Sequence, residues 1–422
     1  MKINLRKGGI MALITASCIS AGCSDCDSPE NKKTTDADYE TIEPTATNRD
    51  QTFSGEEMSA LGADGIAFRI YQAAKTVRDV FEDNAKGNFN LSPASAVVCL
   101  TLVANSLDEP ARSELVAELG FESIDELNAA TEKLLSYLPA DGLGVVIKLA
   151  NSVWVNTAYP CNAGYIAMMR ERFHSPVTPL NVADCDAALR IVNRWCEENT
   201  DGLIKKVLDY ISPDCAAIWD NALYFNGSWA DKFDKSMTVD ATFNGRDGAT
   251  TVAMMHANKP YGYAAVGGME MVNVPFNGMN YCLDIILDDA GELTNDTYAT
   301  LLSESKPFEV ELGLPRFESE TSANLNGIFT NIESILNKAT FSTMGLPTDK
   351  QGAASKSIQK TAIKVNEEGT EAAAVTITDI DWAVGTPIEF DKVKVTFDRP
   401  FTYVIRETRN GIILFIGRVE NL

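Results

Sequence analysis

Histidine is nearly absent: the 422 residues hold two, His174 and His256. Acid–base catalysis through imidazole therefore has little to work with. No H-E-x-x-H or G-x-S-x-G run occurs, and neither histidine shares a recognisable frame with a serine or cysteine nucleophile. An extracytoplasmic hydrolase is thus the weaker reading. Cations are scarce too. Against 59 Asp and Glu stand 36 Lys and Arg, a net charge of −23, which disfavours nucleic acid and anionic lipid surfaces because Lys and Arg hold both. The nine cysteines are scattered, and with Cys18 in an expected leader and Cys23 expected to carry lipid an odd seven remain, a pattern unlike a disulfide framework. Most flank apolar residues and are expected as small buried side chains. No internal repeat is found, and no metal or cofactor is expected.

The apolar run near the start, Ile10 to Ile19, is too short to span a bilayer. Lys2, Arg6 and Lys7 precede it and Ser20-Ala21-Gly22-Cys23 follows it, which is the order of a secretion leader. The last four residues resemble a bacterial lipobox, in which the Cys becomes the lipidated first residue of the mature chain. The plainer alternative is an ordinary secretory signal with Cys23 incidental. Loss of residues 1–22 removes three cations and brings the side-chain charge to −26. The expectation is an outer-membrane lipoprotein anchored at Cys23, cell-surface exposed or facing the periplasm. Residues 23–57 are rich in Asp, Glu, Thr, Asn and Pro, with Tyr39, Ile42 and Phe53 as the sizeable apolar residues. Such a segment cannot offset its ordering entropy by burial, so a disordered acidic tether with a reach of roughly 30 Å is expected.

From 58 to 422 no second linker appears, and one domain of mixed α and β class is expected. Apolar positions 66, 70, 74, 77 and 81 recur at helical spacing. Asn88 to Leu91 reads as a short extended piece, and Ser92-Pro93 opens a helix with Ser as cap and Pro in the first turn. Helices are expected at about 111–119, 124–138, 163–172 and 186–199, and strands at about 144–155, 216–226, 250–256, 281–287 and 307–317. At the end, Phe401 to Glu407 and Ile412 to Val419 are joined at Arg409-Asn410-Gly411, which predicts a buried hairpin.

Several segments, in order along the domain, resemble the serpin family. They are Asn88-Phe89-Asn90-Leu91-Ser92-Pro93-Ala94-Ser95, then Asn193-Arg194-Trp195 with Thr200-Asp201-Gly202-Leu203-Ile204, and then Asn221 through Gly227-Ser228-Trp229. The closing Asp398-Arg399-Pro400-Phe401 and Phe415-Ile416-Gly417-Arg418-Val419 complete the set. The resemblance implies an α+β serpin fold of three β-sheets with eight or nine helices and one exposed reactive loop. It also implies a monomeric protease inhibitor and not an enzyme, acting on serine proteases and on cysteine proteases as a second class. A non-inhibitory binding protein on the same fold is the alternative.

Glu367-Glu368-Gly369-Thr370-Glu371-Ala372-Ala373-Ala374 resembles the hinge of that loop. Glu and Ala favour helix, whereas Val375-Thr376-Ile377-Thr378 just after favours strand. In the family a protease cuts the loop, and the cut loop then enters the main sheet as a new strand. Alternate residues would face the space beneath the sheet. Counted from Thr370 these are Ala372, Ala374, Thr376, Thr378 and Ile380, none charged, whereas Glu371, Asp379 and Asp381 fall on the other face. No Pro interrupts 370–384. The family's usual count, about fourteen residues past the hinge Gly, puts the reactive bond at Ala383-Val384, within a window from Asp381 to Thr386. A count back from Pro400 points nearer Glu389, because the loop is longer than usual. A small residue there implies an elastase-like target. The resemblance further places Ser92, Ser95, Asn221 and Gln359 where the sheet opens, with Gln359 at a position that is His in many relatives. It places Trp229 near the hinge and Arg316 opposite Glu367.

Overall fold

In the computed structural model the described residues are 12–20, 39–44, 52–53, 67–69, 71–72, 81–82, 87–288, 292–324, 331–348, 353–369 and 389–422. Two hydrogen-bonded sheets carry the chain. The first contains β1 (Ala12–Ser20), β2 (Phe81–Glu82), β4 (Ala140–Gly142), β5 (Val145–Asn156), β6 (Val177–Leu180), β7 (Cys215–Gly227), β13 (Phe317–Asn324) and β14 (Ala353–Val365). Its order is β2-β13-β14-β1-β7-β5-β4, with β6 on β5.

The second sheet contains β3 (Phe89–Leu91), β8 (Val239–Gly245), β9 (Gly248–Val266), β10 (Met269–Pro275), β11 (Tyr281–Leu287), β12 (Lys306–Pro315), β15 (Lys392–Thr396), β16 (Phe401–Glu407) and β17 (Ile413–Val419). The 19-residue β9 belongs to two parts of it. Its residues 248–254 pair with β8 and 254–263 with β12, and its last residues, 262–266, pair with β10. Counted at that division, the molecule has the three sheets of the expected fold.

Seven α-helices are complete among the described residues, α1 (Pro93–Ala104), α2 (Ala111–Glu118), α3 (Ile124–Tyr137), α4 (Ala163–Phe173), α5 (Cys185–Asn199), α6 (Asn295–Glu304) and α7 (Ile332–Leu336). Residues 67–69 and 71–72 are helical as well. Every residue of α1 is buried, as befits a helix apolar on all sides. Ser92 caps it, accepting from the Ser95 backbone N–H, and Pro93 takes the first turn. By contrast α5 is amphipathic: Ala188, Ile191, Val192, Trp195 and Cys196 are buried and the rest face outward.

Two local expectations change. Phe81 does not extend a helix but begins β2, whose pairing with Ala323 of β13 decides the outcome over local spacing. The terminal hairpin is present and buried, but its turn is wider than the Asn-Gly pair suggests. Gly411 alone takes a positive φ, and the Glu407 carboxylate accepts the backbone N–H groups of Arg409 and Asn410. Cys99, Cys196, Cys215 and Cys282 are buried, and Cys161 and Cys185 are half-buried.

Parts of the 23–57 segment lie against the domain. Tyr39 rests on the cluster formed by α5 and the first sheet, and Phe53 packs on Tyr137 at a ring separation of 5.4 Å. These are two of the three sizeable apolar residues of the segment.

Candidate functional site: a strand slot and its hinge

β14 and β7 do not pair with each other. Each pairs instead with β1, antiparallel in both cases. Two strands antiparallel to a third are parallel to one another, so closing the slot would leave a parallel ladder, the slightly weaker kind per residue. A guest strand gives two antiparallel ladders in its place. The slot is one strand wide, roughly 10 Å from β14 to β7. Residues 12–20, the apolar part of the expected leader, are the strand found there.

Four residues expected at the opening line come together. Thr15 has both Gln359 and Asn221 as register partners, so those two residues face each other across the slot. Gln359 grips Ser92 twice, accepting from its backbone N–H at 3.1 Å and donating to its carbonyl at 3.0 Å. Across the slot, Ser95 Oγ donates to Asn221 Oδ1. Both strands are thereby fastened to the first turn of α1. All four residues are fully buried, where an unmade bond costs about 1–3 kcal/mol.

Sequence reading missed the rest of this network. Asn221 donates to Asn151 Oδ1 at 2.7 Å, Asn151 donates to the Phe173 carbonyl at 2.9 Å, and Thr361 Oγ1 donates to the Asn90 carbonyl at 2.6 Å. Asn151, a polar residue inside a mainly apolar run, was the available signal, whereas Asn90 and Thr361 stand among other polar residues and gave none.

Trp229 and Arg316 belong to a second centre, eight residues beyond Asn221 or roughly 27 Å along the strand. There β14 ends in a tight reversal. Gly369 N–H donates to the Asn366 carbonyl at 3.2 Å, and Gly369 bridges to Ser228 at the end of β7. Its φ is +96°, and a Cβ at this position would lie 2.5 Å from Trp229 N and 2.6 Å from the Gly227 carbonyl oxygen. Only glycine fits. The Trp229 indole N–H donates to the Asn366 carbonyl at 2.8 Å, and its ring stacks on Phe276 at 4.7 Å.

Beside this reversal the Glu367 side chain is 2% exposed. Arg316 donates to it from Nε at 2.8 and 2.9 Å and from Nη2 at 2.5 Å, and Thr238 Oγ1 adds a bond of 2.5 Å. Burial alone would raise the Glu367 pKa, but the bonds from Arg316 and Thr238 outweigh it and hold the carboxyl below its ordinary range. Glu368 is held low by Lys232 and Lys235, each at 2.7 Å. The Lys pair and Thr238 carried no sequence signal. Thr370, Ala372, Ala373, Ala374, Ala383, Val384 and Cys23 lie outside the described residues.

The first sheet thus holds one strand between β14 and β7, with a buried polar lock beside it and a glycine reversal at the end of β14. The family model described as Serpin (serine protease inhibitor) matches residues 66–422, and the chain belongs to the serpin family. It is 30% identical over 367 residues to an antitrypsin of Bombyx mori, covering 82% of this chain and 91% of that protein. It is 26% identical to the human leukocyte elastase inhibitor, covering 81% and 94%. Its fold is similar to that of the thermophilic serpin Tengpin in the native state, with a TM-score of 0.74, 23% identity and coverage of 88% and 96%. Protease inhibition is the function this membership carries, and the protein is not an enzyme.

Proposed function

We propose that this protein is a single-use trap for an elastase-like serine protease, held on the outer membrane through a lipidated Cys23. Cleavage at Ala383-Val384 would release residues from 370 onward to enter the slot between β14 and β7 before water frees the acyl-enzyme. Serpin loop insertion is an established case of strand addition to a sheet. The observation that carries the reading for this chain is polarity. The chain reverses at Asn366 and Gly369, so residues after 369 would run antiparallel to β14, the direction that residues 12–20 take in the slot. A small, uncharged set of alternate loop residues supports passage beneath the sheet, and a relative named as an inhibitor of leukocyte elastase supports the target class.

The test is incubation with a panel of serine and cysteine proteases that includes pancreatic elastase. The expected result is an elastase complex that survives denaturant, with its cut inside Asp381 to Thr386 by mass. Clean cleavage of the loop with full recovery of every protease would favour a non-inhibitory binding protein instead.

A further inference from the structure

Residues 39–44 lie against α4, α5 and, in the first sheet, β5. The buried face of α5 packs on Ala150 and Trp154 of β5 and on Ile218 and Ala222 of β7, and Ala362 of β14 packs against the same cluster. α5 therefore lies over β5 and over β7, the strand that forms one flank of the slot. A strand that enters or leaves beside β7 moves along the edge of the layer α5 forms, where close packing leaves no spare room.

Tyr39 joins α5 to the sheet. Its ring meets Trp154 edge-on at 5.8 Å, the Arg194 guanidinium lies over it at 5.2 Å, and its hydroxyl donates to Glu198. Burial, with the bond to Glu198, raises the hydroxyl pKa to about 12, so the donor proton stays in place at physiological pH. Trp154 in turn donates to Asp220 of β7 at 2.6 Å. Next along the chain, Glu40 takes a two-pronged bond from Arg170 of α4 at 2.6 and 2.8 Å, and Pro44 is buried.

We propose that residues 39–44 are a strap that latches α5 beside the slot and sets the rate at which a strand enters or leaves it. Its contacts reach α4, α5 and β5 at once, so they must loosen whenever α5 shifts, in whichever direction the strand moves. Such a latch raises the barrier without choosing the end state. It turns the segment between the expected anchor and the domain into a rate-setting part of the domain.

Hydrogen exchange on the intact chain tests the latch without reference to any protease. In Tyr39→Ala the amides of 185–199 should exchange about tenfold faster, the factor that corresponds to about 1.4 kcal/mol; an aromatic pair with its hydrogen bond is worth about that much. Tyr39→Phe, which keeps the ring, should fall between. Glu40→Arg and Arg170→Glu should each speed exchange, and the double swap should restore it. Unchanged exchange in both Tyr39→Ala and Glu40→Arg overturns the proposal. A second readout, which rests on the trapping function, is the number of inhibitor molecules consumed per protease trapped. A looser α5 should lower it. If exchange quickens and trapping is absent altogether, the latch stands and the proposed function fails.

Discussion

Gln359 and Asn221 face each other across the slot, each the register partner of Thr15, and both fasten to the first turn of α1. The lock is symmetric in purpose and different in chemistry. Gln359 bonds the backbone of Ser92, whereas Asn221 is reached by the hydroxyl of Ser95. Gln359→Ala leaves the buried Ser92 N–H unpaired and removes one of the two bonds its carbonyl accepts, the other coming from Ala96 N–H, and should cost about 2 kcal/mol, or several degrees of Tm. Asn221→Ala should cost a similar amount. Thermal unfolding followed by circular dichroism checks both, and an unchanged Tm in Gln359→Ala would show that the pair does not hold the sheet.

The hinge pair should respond to acid. Glu367 has its pKa lowered in the folded protein. Its contribution is thus present above the ordinary carboxylate range near pH 4 and is lost as pH falls through the lowered value. Glu367→Gln should unfold more readily than the wild type at pH 7, and the gap should narrow below about pH 4. A gap that stayed constant down to pH 3 would assign the effect to packing.

How much of this was legible beforehand follows from what each residue needs. Ser92 and Pro93 announce a helix start by local chemistry, and α1 begins there. The hinge glycine was legible from its motif, although the reason for glycine, the 2.5 Å approach of Trp229 N, is a tertiary fact. Thr238, Lys232 and Lys235 come to Glu367 and Glu368 from more than a hundred residues away, and no local pattern encodes such a meeting. Phe81 fits a helical period and still lies in a strand, because the edge of β13 offers it hydrogen bonds that sequence spacing cannot foresee. The docking of Tyr39 and Phe53 escaped for the opposite reason. Composition averages over the segment, while two aromatic rings suffice to pin it.

Asp220 predicts a second pH dependence of opposite sign. It is fully buried, Trp154 donates to one of its oxygens, and burial pushes its pKa up to about 8 against that bond. The folded state therefore keeps the proton after the unfolded chain has lost it, and stability falls as pH rises from about 4 to about 8. Asp220→Asn keeps an acceptor for Trp154 and never ionises. Its Tm advantage over the wild type should be small at pH 4 and grow until about pH 8. A difference independent of pH would mean that Asp220 is ionised where it lies.

Anchoring is open to direct labelling. A radiolabelled fatty acid should enter the wild type in bacterial culture and be absent from Cys23→Ala, with the mutant released from the membrane fraction. Equal labelling of the two would rule the anchor out.

Thr370→Arg separates insertion from cleavage. Thr370 directly follows Gly369, the last residue of the reversal. On the proposed mechanism residue 370 is among the first to pass beneath the sheet, out of contact with water. An unpaired buried charge costs several kcal/mol in practice. Each 1.4 kcal/mol or so added to the insertion barrier slows that step about tenfold. Hydrolysis of the acyl-enzyme should then win, and the variant should be cut at the same bond yet release active protease. Folding should be unaffected, which an unchanged Tm of the uncut protein would verify. Wild-type trapping efficiency in Thr370→Arg, with the cut still at Ala383, would mean that the loop never enters the slot and would leave the lock at Gln359 and Asn221 a purely structural device.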